Sequence, residues 1–459
     1  MELFSPDDPR PIHFMGIAGV GMSALALIAR RRGAAVSGCD MSSDGIEDVV
    51  NSGVTVFEGH AAEHIVGARA LVYTSAVPKE HPEMMAAREA GIPVVRRAEA
   101  LGQVVNTGSV VGIAGTHGKT TTTVMTTVAL SAAGLDPTGI AGGRVAEWDG
   151  NVRLGESDLF VVEADEYDRS FLALDPEVAV VNNVEADHLE CYGSIGALES
   201  AFVEFANRAK RVYLGADDRG AARLARKLDV PVSVVGMGED ADVRISSVSR
   251  DSELTEASIK MPDGSLVELR LRVPGLHNIR NAAMALGVTF YLEGDVNAAA
   301  EGLSVFSGVA RRFEELGSVG GVTVVDDYAH HPTEVAATLA AARQRFPGRR
   351  IVVVFQPHLY SRTEAHGEAF GIVLASADLV VVAPIYAARE EPIPGVTGEV
   401  VANAARSAGV PVEWVPDYAG LAPALQELVQ AGDVVLTLGA GDITKIGPQL
   451  LRSMQDTAA

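Results

Sequence analysis

The chain has 459 residues, with 37 Lys and Arg against 60 Asp and Glu, for a net charge of −23. Hydrophobic residues make up 47% and charged residues 21%, a globular balance that excludes a disordered chain. With no basic excess, composition argues against general binding to nucleic acid or to an anionic membrane surface, and at about 150 residues per domain the length suggests three domains.

Cys39 and Cys191 are the only two cysteines, too few for a disulfide framework, which suits a reducing cytoplasm. The acidic start Met-Glu-Leu-Phe-Ser-Pro-Asp-Asp lacks the basic and apolar regions of a signal peptide. Apolar runs such as Leu379–Pro384 are too short to span a bilayer.

In chain order, an apolar strand, Ile12–Met15, runs into Gly16-Ile17-Ala18-Gly19-Val20-Gly21-Met22-Ser23 and a helix reaching Arg32. The glycine spacing is G-x-x-G-x-G, not the dinucleotide G-x-G-x-x-G. Asp40 follows a second strand about twenty residues on, placed to reach a ribose or a base. The turn alone leaves three readings open: a nicotinamide site, a nucleotide-sugar site, or a turn that only packs helix on strand. The small polar stretch Asn106-Thr107-Gly108-Ser109 reads as a connector.

A second strand, Val110–Ile113, feeds Gly115-Thr116-His117-Gly118-Lys119-Thr120-Thr121 and another helix. Backbone N–H groups at such a helix start, with the macrodipole, favour an anion. Lys119 adds charge for a β/γ-phosphate and Thr120 a hydroxyl for Mg²⁺. The loop is a short variant of the usual nucleotide loop, because Ile113 stands where a glycine is expected. Two further strands end in carboxylates: Leu159–Val162 runs into Glu163, Asp165 and Glu166, and Val178–Val181 into Asn182, Asn183, Glu185, Asp187 and His188. Clustered carboxylates repel unless a cation lies between them. Glu163 with Thr120 therefore makes an oxygen pair for Mg²⁺, and His188 is either part of that shell or a hydrogen-bonded loop histidine. Asp168 is expected to cap a helix or pair with an arginine. A polar, β-like region occupies residues around 232–273.

In Gly275-Leu276-His277-Asn278-Ile279-Arg280-Asn281, His277 or Asn278 shares a helix face with Asn281. Amide side chains there can read an adenine edge, or Asn278 can cap the helix. Arg311-Arg312-Phe313-Glu314 opens the third block; its arginine either meets a γ-phosphate when domains close or pairs with Glu314 or Glu315. Strands Val322–Val325, Ile351–Phe355, Leu379–Val382 and Val434–Leu438 follow. The first runs into Asp326-Asp327-Tyr328-Ala329-His330-His331-Pro332, where Pro332 suits a first helical turn. The second runs into Gln356-Pro357-His358-Leu359-Tyr360-Ser361-Arg362, where Arg362 can grip a carboxylate at two points and an amino acid is the obvious small substrate. Short buried runs alternating with helical segments give an α/β fold with more than one parallel sheet.

Taken together, Gly16–Ser23, Gly115–Thr122, Glu163–Glu166, Asn183–His188, His277–Ala282, Arg311–Glu314, Asp326–Glu334 and Tyr360–Thr363 resemble, in order over nearly the whole chain, the Mur ligases. The resemblance implies three domains: a Rossmann-like UDP-sugar-binding domain at 1–106, a central P-loop ATP-binding domain at 107–309 and a Rossmann-like amino-acid-binding domain at 310–459. It implies ATP- and Mg²⁺-dependent amide formation through an acyl phosphate, in the cytoplasmic phase of peptidoglycan synthesis. The implied substrates are UDP-N-acetylmuramate, L-alanine and ATP, and the implied state is a monomer or homodimer without nucleic-acid or membrane partners.

Residue by residue, it implies that Gly115, Thr116, His117, Gly118, Lys119, Thr120 and Thr121 hold ATP phosphates, with His277, Asn278 and Asn281 on adenine or its ribose. Arg312 would reach the γ-phosphate and Asp327 would anchor the nucleotide. Thr120, Glu163 and His188 would be metal ligands. Gly16, Gly19, Gly21, Met22, Ser23, Asp40 and Ser75 would bind the UDP-sugar. Tyr328, His330, His358 and Arg362 would line the alanine and acyl-phosphate region, so that Lys119, His188, Arg312, Tyr328 and His330 form the catalytic set. Family members that add later amino acids carry a modified lysine near the position of Phe202. No lysine lies there, the next being Lys210, which fits the alanine-adding branch over one adding another amino acid or a peptide.

Overall fold

The computed structural model describes residues 3–42, 46–74, 77–78, 80–388 and 390–458. Three sheets organise the chain. The first holds β1 (Ile12–Met15), β2 (Val36–Asp40), β3 (Thr55–Glu58), β4 (Ala70–Tyr73) and β5 (Val94–Arg96), in the order β3-β2-β1-β4-β5 and parallel throughout. The order reverses between β1 and β4, the place where a doubly wound sheet opens a crevice at its strand C-termini. The glycine turn follows β1 at that point.

The second sheet contains β6 (Ser109–Ala114), β7 (Thr138–Val145), β8 (Gly150–Arg153), β9 (Leu159–Glu163), β10 (Val178–Val181), β11 (Arg211–Gly215), β12 (Val232–Gly236), β13 (Val243–Arg250), β14 (Thr255–Lys260) and β15 (Leu266–Leu271). Its order is β15-β14-β13-β12-β11-β10-β6-β9-β7-β8. β6 thus lies between β10 and β9, the strands that end in carboxylates, and parallel pairing puts all three C-termini on one edge. The β-like region around 232–273 is the run from β12 to β15, and Leu266–Leu271 alternates exposed and buried residues as a strand with one wet face does.

The third sheet contains β16 (Glu314–Val319), β17 (Val322–Asp327), β18 (Ile351–Phe355), β19 (Leu379–Val382), β20 (Val412–Trp414) and β21 (Val434–Leu438), in the order β16-β17-β21-β18-β19-β20. Only the edge strand β16 pairs antiparallel; its neighbours are parallel. The continuous apolar runs read from the sequence have a simple cause here. Ile351, Val353 and Phe355 enter one core and Val352 and Val354 the opposite one, so both faces of β18 are buried.

The chain forms two compact units, one of Met1–Ser247, Ala257–Leu269 and Arg280–Val305, the other of Val248–Glu256, Arg270–Ile279 and Phe306–Ala459. Within the first, the helix Arg97–Val105 meets the segment after β9 so closely that a Cβ on Gly102 would lie 2.4 Å from Ala173 O. The helix Val20–Arg31 is tied to β8 through Asn151, whose amide donates to Val20 O. Phe202 is a fully buried core residue packed edge-on to Phe171. Lys210 is exposed beside Glu177 at the protein surface.

Candidate active site

The loop after β6 is shaped by two glycines in the left-handed region, Gly115 at φ 135° and Gly118 at φ 77°. A Cβ on Gly115 would sit 3.0 Å from Asn182 Cβ, and one on Gly118 would sit 3.1 Å from Asn281 Oδ1, so neighbours as well as backbone exclude larger residues. Two asparagines at the end of β10 hold the loop. Asn183 Oδ1 accepts from His117 N at 2.7 Å, and Asn182 Nδ2 donates to Thr122 Oγ1 at 3.0 Å. Thr116 Oγ1 accepts from Glu185 N at 2.9 Å, and His117 Nε2 lies 3.2 Å from Glu185. The helix Lys119–Ala132 then starts without any side-chain cap, so its first amides keep the donor capacity that an anion uses.

Lys119 Nζ donates to Gly115 O at 2.8 Å and lies 2.8 Å from Glu166 Oε2. Burial alone would lower this ammonium, but Glu166 and Asp165 outweigh it and hold it at about 12. Thr120 Oγ1 donates to Glu163 at 3.1 Å, and Gly142 N reaches the other Glu163 oxygen at 2.5 Å. Burial raises the Glu163 carboxyl, with Lys119 opposing it. A hydroxyl and a carboxylate as neighbours are hard oxygen donors of the kind Mg²⁺ takes. His188 sits at φ 53°, with Nδ1 3.4 Å from Glu190 and its ring edge-on to Tyr167. Asp168 pairs with Arg96, as the alternative to a ligand role expects.

At the first turn, Gly16 N donates to Cys39 O at 2.8 Å and Ala18 N to Asp40 Oδ2 at 2.9 Å. Asp40 therefore braces the turn with the carboxylate that sequence offered to a ribose or base. Gly19 precedes an uncapped helix start. Met22 is buried in the core and Ser23 turns inward, donating to Val20 O at 3.0 Å and to Asn151 at 3.4 Å. Gly21 faces Arg97, whose Nη1 would be 2.6 Å from an added Cβ. Ser75 lies outside the described residues.

The helix Leu276–Tyr291 places Asn281 beside Gly118. The capping alternative for Asn278 does not hold: the helix begins two residues earlier, and Asn278 Nδ2 donates back to Pro274 O at 2.7 Å. His277 stands on the same first turn, beside Gly275.

On the third sheet the loops after β17 and β18 bring the expected group together. Tyr328 lies edge-on to His330 at 5.2 Å, and His330 to His358 at 5.9 Å. Arg362, buried at the start of the helix Tyr360–Leu374, donates to His358 Nδ1 at 3.3 Å. Arg311 and Arg312 both lie over the Tyr328 ring, at 4.8 and 5.1 Å. The arginines do not pair as the surface alternative supposed. Arg312 is 3.9 Å from Glu334, Arg311 Nε donates to Asp326, and Glu314 accepts from the Arg311 backbone. Asp327 is buried, accepts from Phe313 N and Ala329 N, and burial lifts its carboxyl to about 6. Pro332 takes the first helical position behind the capping His331.

Sequence reasoning gave no role to Asn183, Arg97 or Tyr386, and it set Glu166 among carboxylates expected to cap helices or pair with arginines, whereas Glu166 pairs with Lys119. Tyr386 stacks on His358 at 5.8 Å and 14°, and its carbonyl accepts from Leu359 N. Asn183 and Glu166 stand inside segments already singled out at strand ends, which is the signal that could have found them. Tyr386 and Arg97 carry no such flag.

Three family models match successive parts of the chain. Residues 11–108 match the Mur ligase family catalytic domain, 113–289 the Mur ligase middle domain, and 311–441 the Mur ligase glutamate ligase domain. A UDP-N-acetylmuramate–L-alanine ligase of Salinibacter ruber is 43% identical over 97% of this chain and 95% of its own length. One of Myxococcus xanthus is also 43% identical, over 99% and 98%. Among solved structures, a UDP-N-acetylmuramate–alanine ligase of Thermotoga maritima superposes with a TM-score of 0.83 at 28% identity, covering 97% of this chain and 99% of that one. A murein peptide ligase of Psychrobacter arcticus gives 0.72 at 25% identity, covering 97% and 98%.

Proposed function

The chain belongs to the Mur ligase family, and we propose that it joins L-alanine to the carboxylate of UDP-N-acetylmuramate at the expense of ATP, forming ADP and phosphate in cytoplasmic peptidoglycan synthesis. Full-length relatives that carry this activity in their names support the reading. The observation that carries it in this structure is the glycine loop with Lys119 at an uncapped helix start, flanked by the Thr120–Glu163 oxygen pair. A carboxylate is a poor acceptor for an amine because oxide leaves badly; transfer of a phosphoryl group makes phosphate the leaving group. Mg²⁺, held by Thr120 and Glu163 with His188, would screen charge on the phosphates.

The chain's own groups have separable tasks. Lys119 exchanges Glu166 for the phosphates and stabilises charge on the transferring group. Arg362 takes the alanine carboxylate in its planar fork. The amine must be neutral to attack. Tyr328 O can only accept from His330 Nδ1 at 3.0 Å, so that nitrogen carries the proton and Nε2 keeps the basic lone pair. Arg362 donates to His358 Nδ1, which leaves His358 with its proton on Nε2. His330 is therefore the better base of the two. Phosphate release measured across UDP-sugars and amino acids tests the proposal. Release is expected only with UDP-N-acetylmuramate, alanine and ATP together, and equal release with a peptide or glutamate in place of alanine would transfer the chain to another branch.

A further inference from the structure

The first sheet buries a cluster that ligation does not use. Cys39 on β2 and His13 on β1 project from the same face, where Met15 and Leu71 also pack. Around Cys39 Sγ stand His13 Nε2 at 3.3 Å, His60 Nδ1 at 3.2 Å and both Glu83 oxygens at 3.3 Å. His60 comes from the turn after β3 and Glu83 from the first turn of the helix Pro82–Glu89. His13, Cys39 and Glu83 are each fully buried.

Two features are hard to satisfy without a cation. Glu83 is a buried carboxylate that pairs with no lysine or arginine among the described residues; its neighbours are His60 at 3.6 Å, His64 at 3.3 Å and the Ala61 amide at 2.8 Å. A buried carboxylate without a compensating charge is costly. Second, the buried His64 Nδ1 beside them makes no hydrogen bond despite its closeness to Glu83.

The separations match a coordination shell. Bonds of about 2.0–2.3 Å in a tetrahedron hold ligand atoms about 3.3–3.8 Å apart; His13 Nε2 and both Glu83 oxygens lie 3.3 Å from Cys39 Sγ, and one ligand atom of each of these three residues falls within 4.8 Å of the others. A thiolate, an imidazole and a carboxylate together are ligands for Zn²⁺, not for Mg²⁺. Ser37 Oγ, 3.0 Å from His13 Nδ1, would orient that ring from outside.

We propose that His13 Nε2, Cys39 Sγ and Glu83 form a Zn²⁺ site in the first domain, with His60 Nδ1 beside the Cys39 sulfur, separate from the Mg²⁺ and nucleotide residues of the second sheet. Metal binding displaces the Cys39 proton to solvent and leaves one neutral imidazole and two anions on the ion. The ion staples β1, β2 and the helix Pro82–Glu89, which are distant in sequence. His60 is 20% exposed and provides the entry path.

The test uses the full chain, stripped with a chelator and titrated with Co²⁺ in buffer free of Mg²⁺ and nucleotide. About one equivalent should bind, with a thiolate-to-cobalt charge-transfer band and tetrahedral visible bands that Zn²⁺ abolishes. Cys39→Ser should remove the charge-transfer band, Glu83→Gln should weaken Zn²⁺ binding at least about tenfold, and Cys191→Ser should change neither. Added Zn²⁺ should also raise the melting temperature of the wild-type protein. A folded wild-type protein with no charge-transfer band overturns the site without reference to any variant. A band that persists in Cys39→Ser or vanishes in Cys191→Ser overturns it as well. None of these readouts depends on ligase activity, so failure here leaves the ligase reading standing.

Discussion

Gly16–Ser23 and Gly115–Thr121 both join a parallel strand to a helix without a side-chain cap, yet they are held and charged differently. The first is braced by an anion, with Asp40 accepting from Ala18 N. The second is braced by neutral amides, Asn182 and Asn183, and carries the Lys119 ammonium. A carboxylate next to a turn repels a polyphosphate, whereas amides leave the helix dipole and a lysine to attract it. Under the proposed function, similar backbone geometry would serve a triphosphate at one turn and a sugar nucleotide at the other.

The largest effect that separates the turns is expected from Lys119→Ala. Turnover should fall by at least about a thousandfold, since the residue meets charge on the transferring phosphoryl group, while circular dichroism stays unchanged. Retention of most of the rate would remove the distinction between the turns. Arg362→Lys on the third sheet should come next, keeping charge but losing the two-point grip. The KM for alanine should rise roughly 10- to 100-fold with little change for ATP. An equal rise in both constants would mean a structural role for this buried arginine.

The braces themselves give a smaller, reciprocal pair. Asn183→Ala strands the His117 amide, a loss of about 1–2 kcal/mol, and should raise the KM for ATP roughly tenfold without touching that for the UDP-sugar. Asp40→Asn should do the reverse, by a few-fold. If each variant moves both constants equally, the turns do not serve separate ligands.

The smallest effect concerns Asp327. Its carboxyl is raised by burial from 3.8 to about 6. Between those values the folded protein binds a proton that the unfolded chain has lost, so stability falls as pH rises across that window. Denaturant titrations should show a flatter profile there for Asp327→Asn, and an unchanged slope would assign the trend to other groups.

The legible parts of the molecule were those where chemistry and chain position coincide. β6, β9, β10 and the main strands of the third sheet were readable because both faces are buried, giving unbroken apolar runs such as Ile351–Phe355. β7 and β8 were not, because Thr138–Val145 is rich in glycine, partly exposed, and paired through an irregular register. The phosphate loop was visible as one contiguous segment. Its clamps were harder to see: Glu166 on Lys119 is a tertiary pairing, and Arg97 reaches Gly21 from a different helix. Met22 and Ser23, which the family resemblance assigns to the UDP-sugar, have side chains that packing turns inward. The His13–Cys39–Glu83 cluster was invisible for the same reason: its members share no motif and meet only when the first sheet closes.

The account rests on ATP activating a carboxylate. The most direct test supplies UDP-N-acetylmuramate with heavy oxygen in both carboxylate positions, together with alanine and ATP, and follows the label by mass spectrometry. One labelled oxygen should appear in inorganic phosphate and one should remain in the new amide. Phosphate released without label while the amide forms would contradict the acyl-phosphate route and the function proposed for the loop at Lys119.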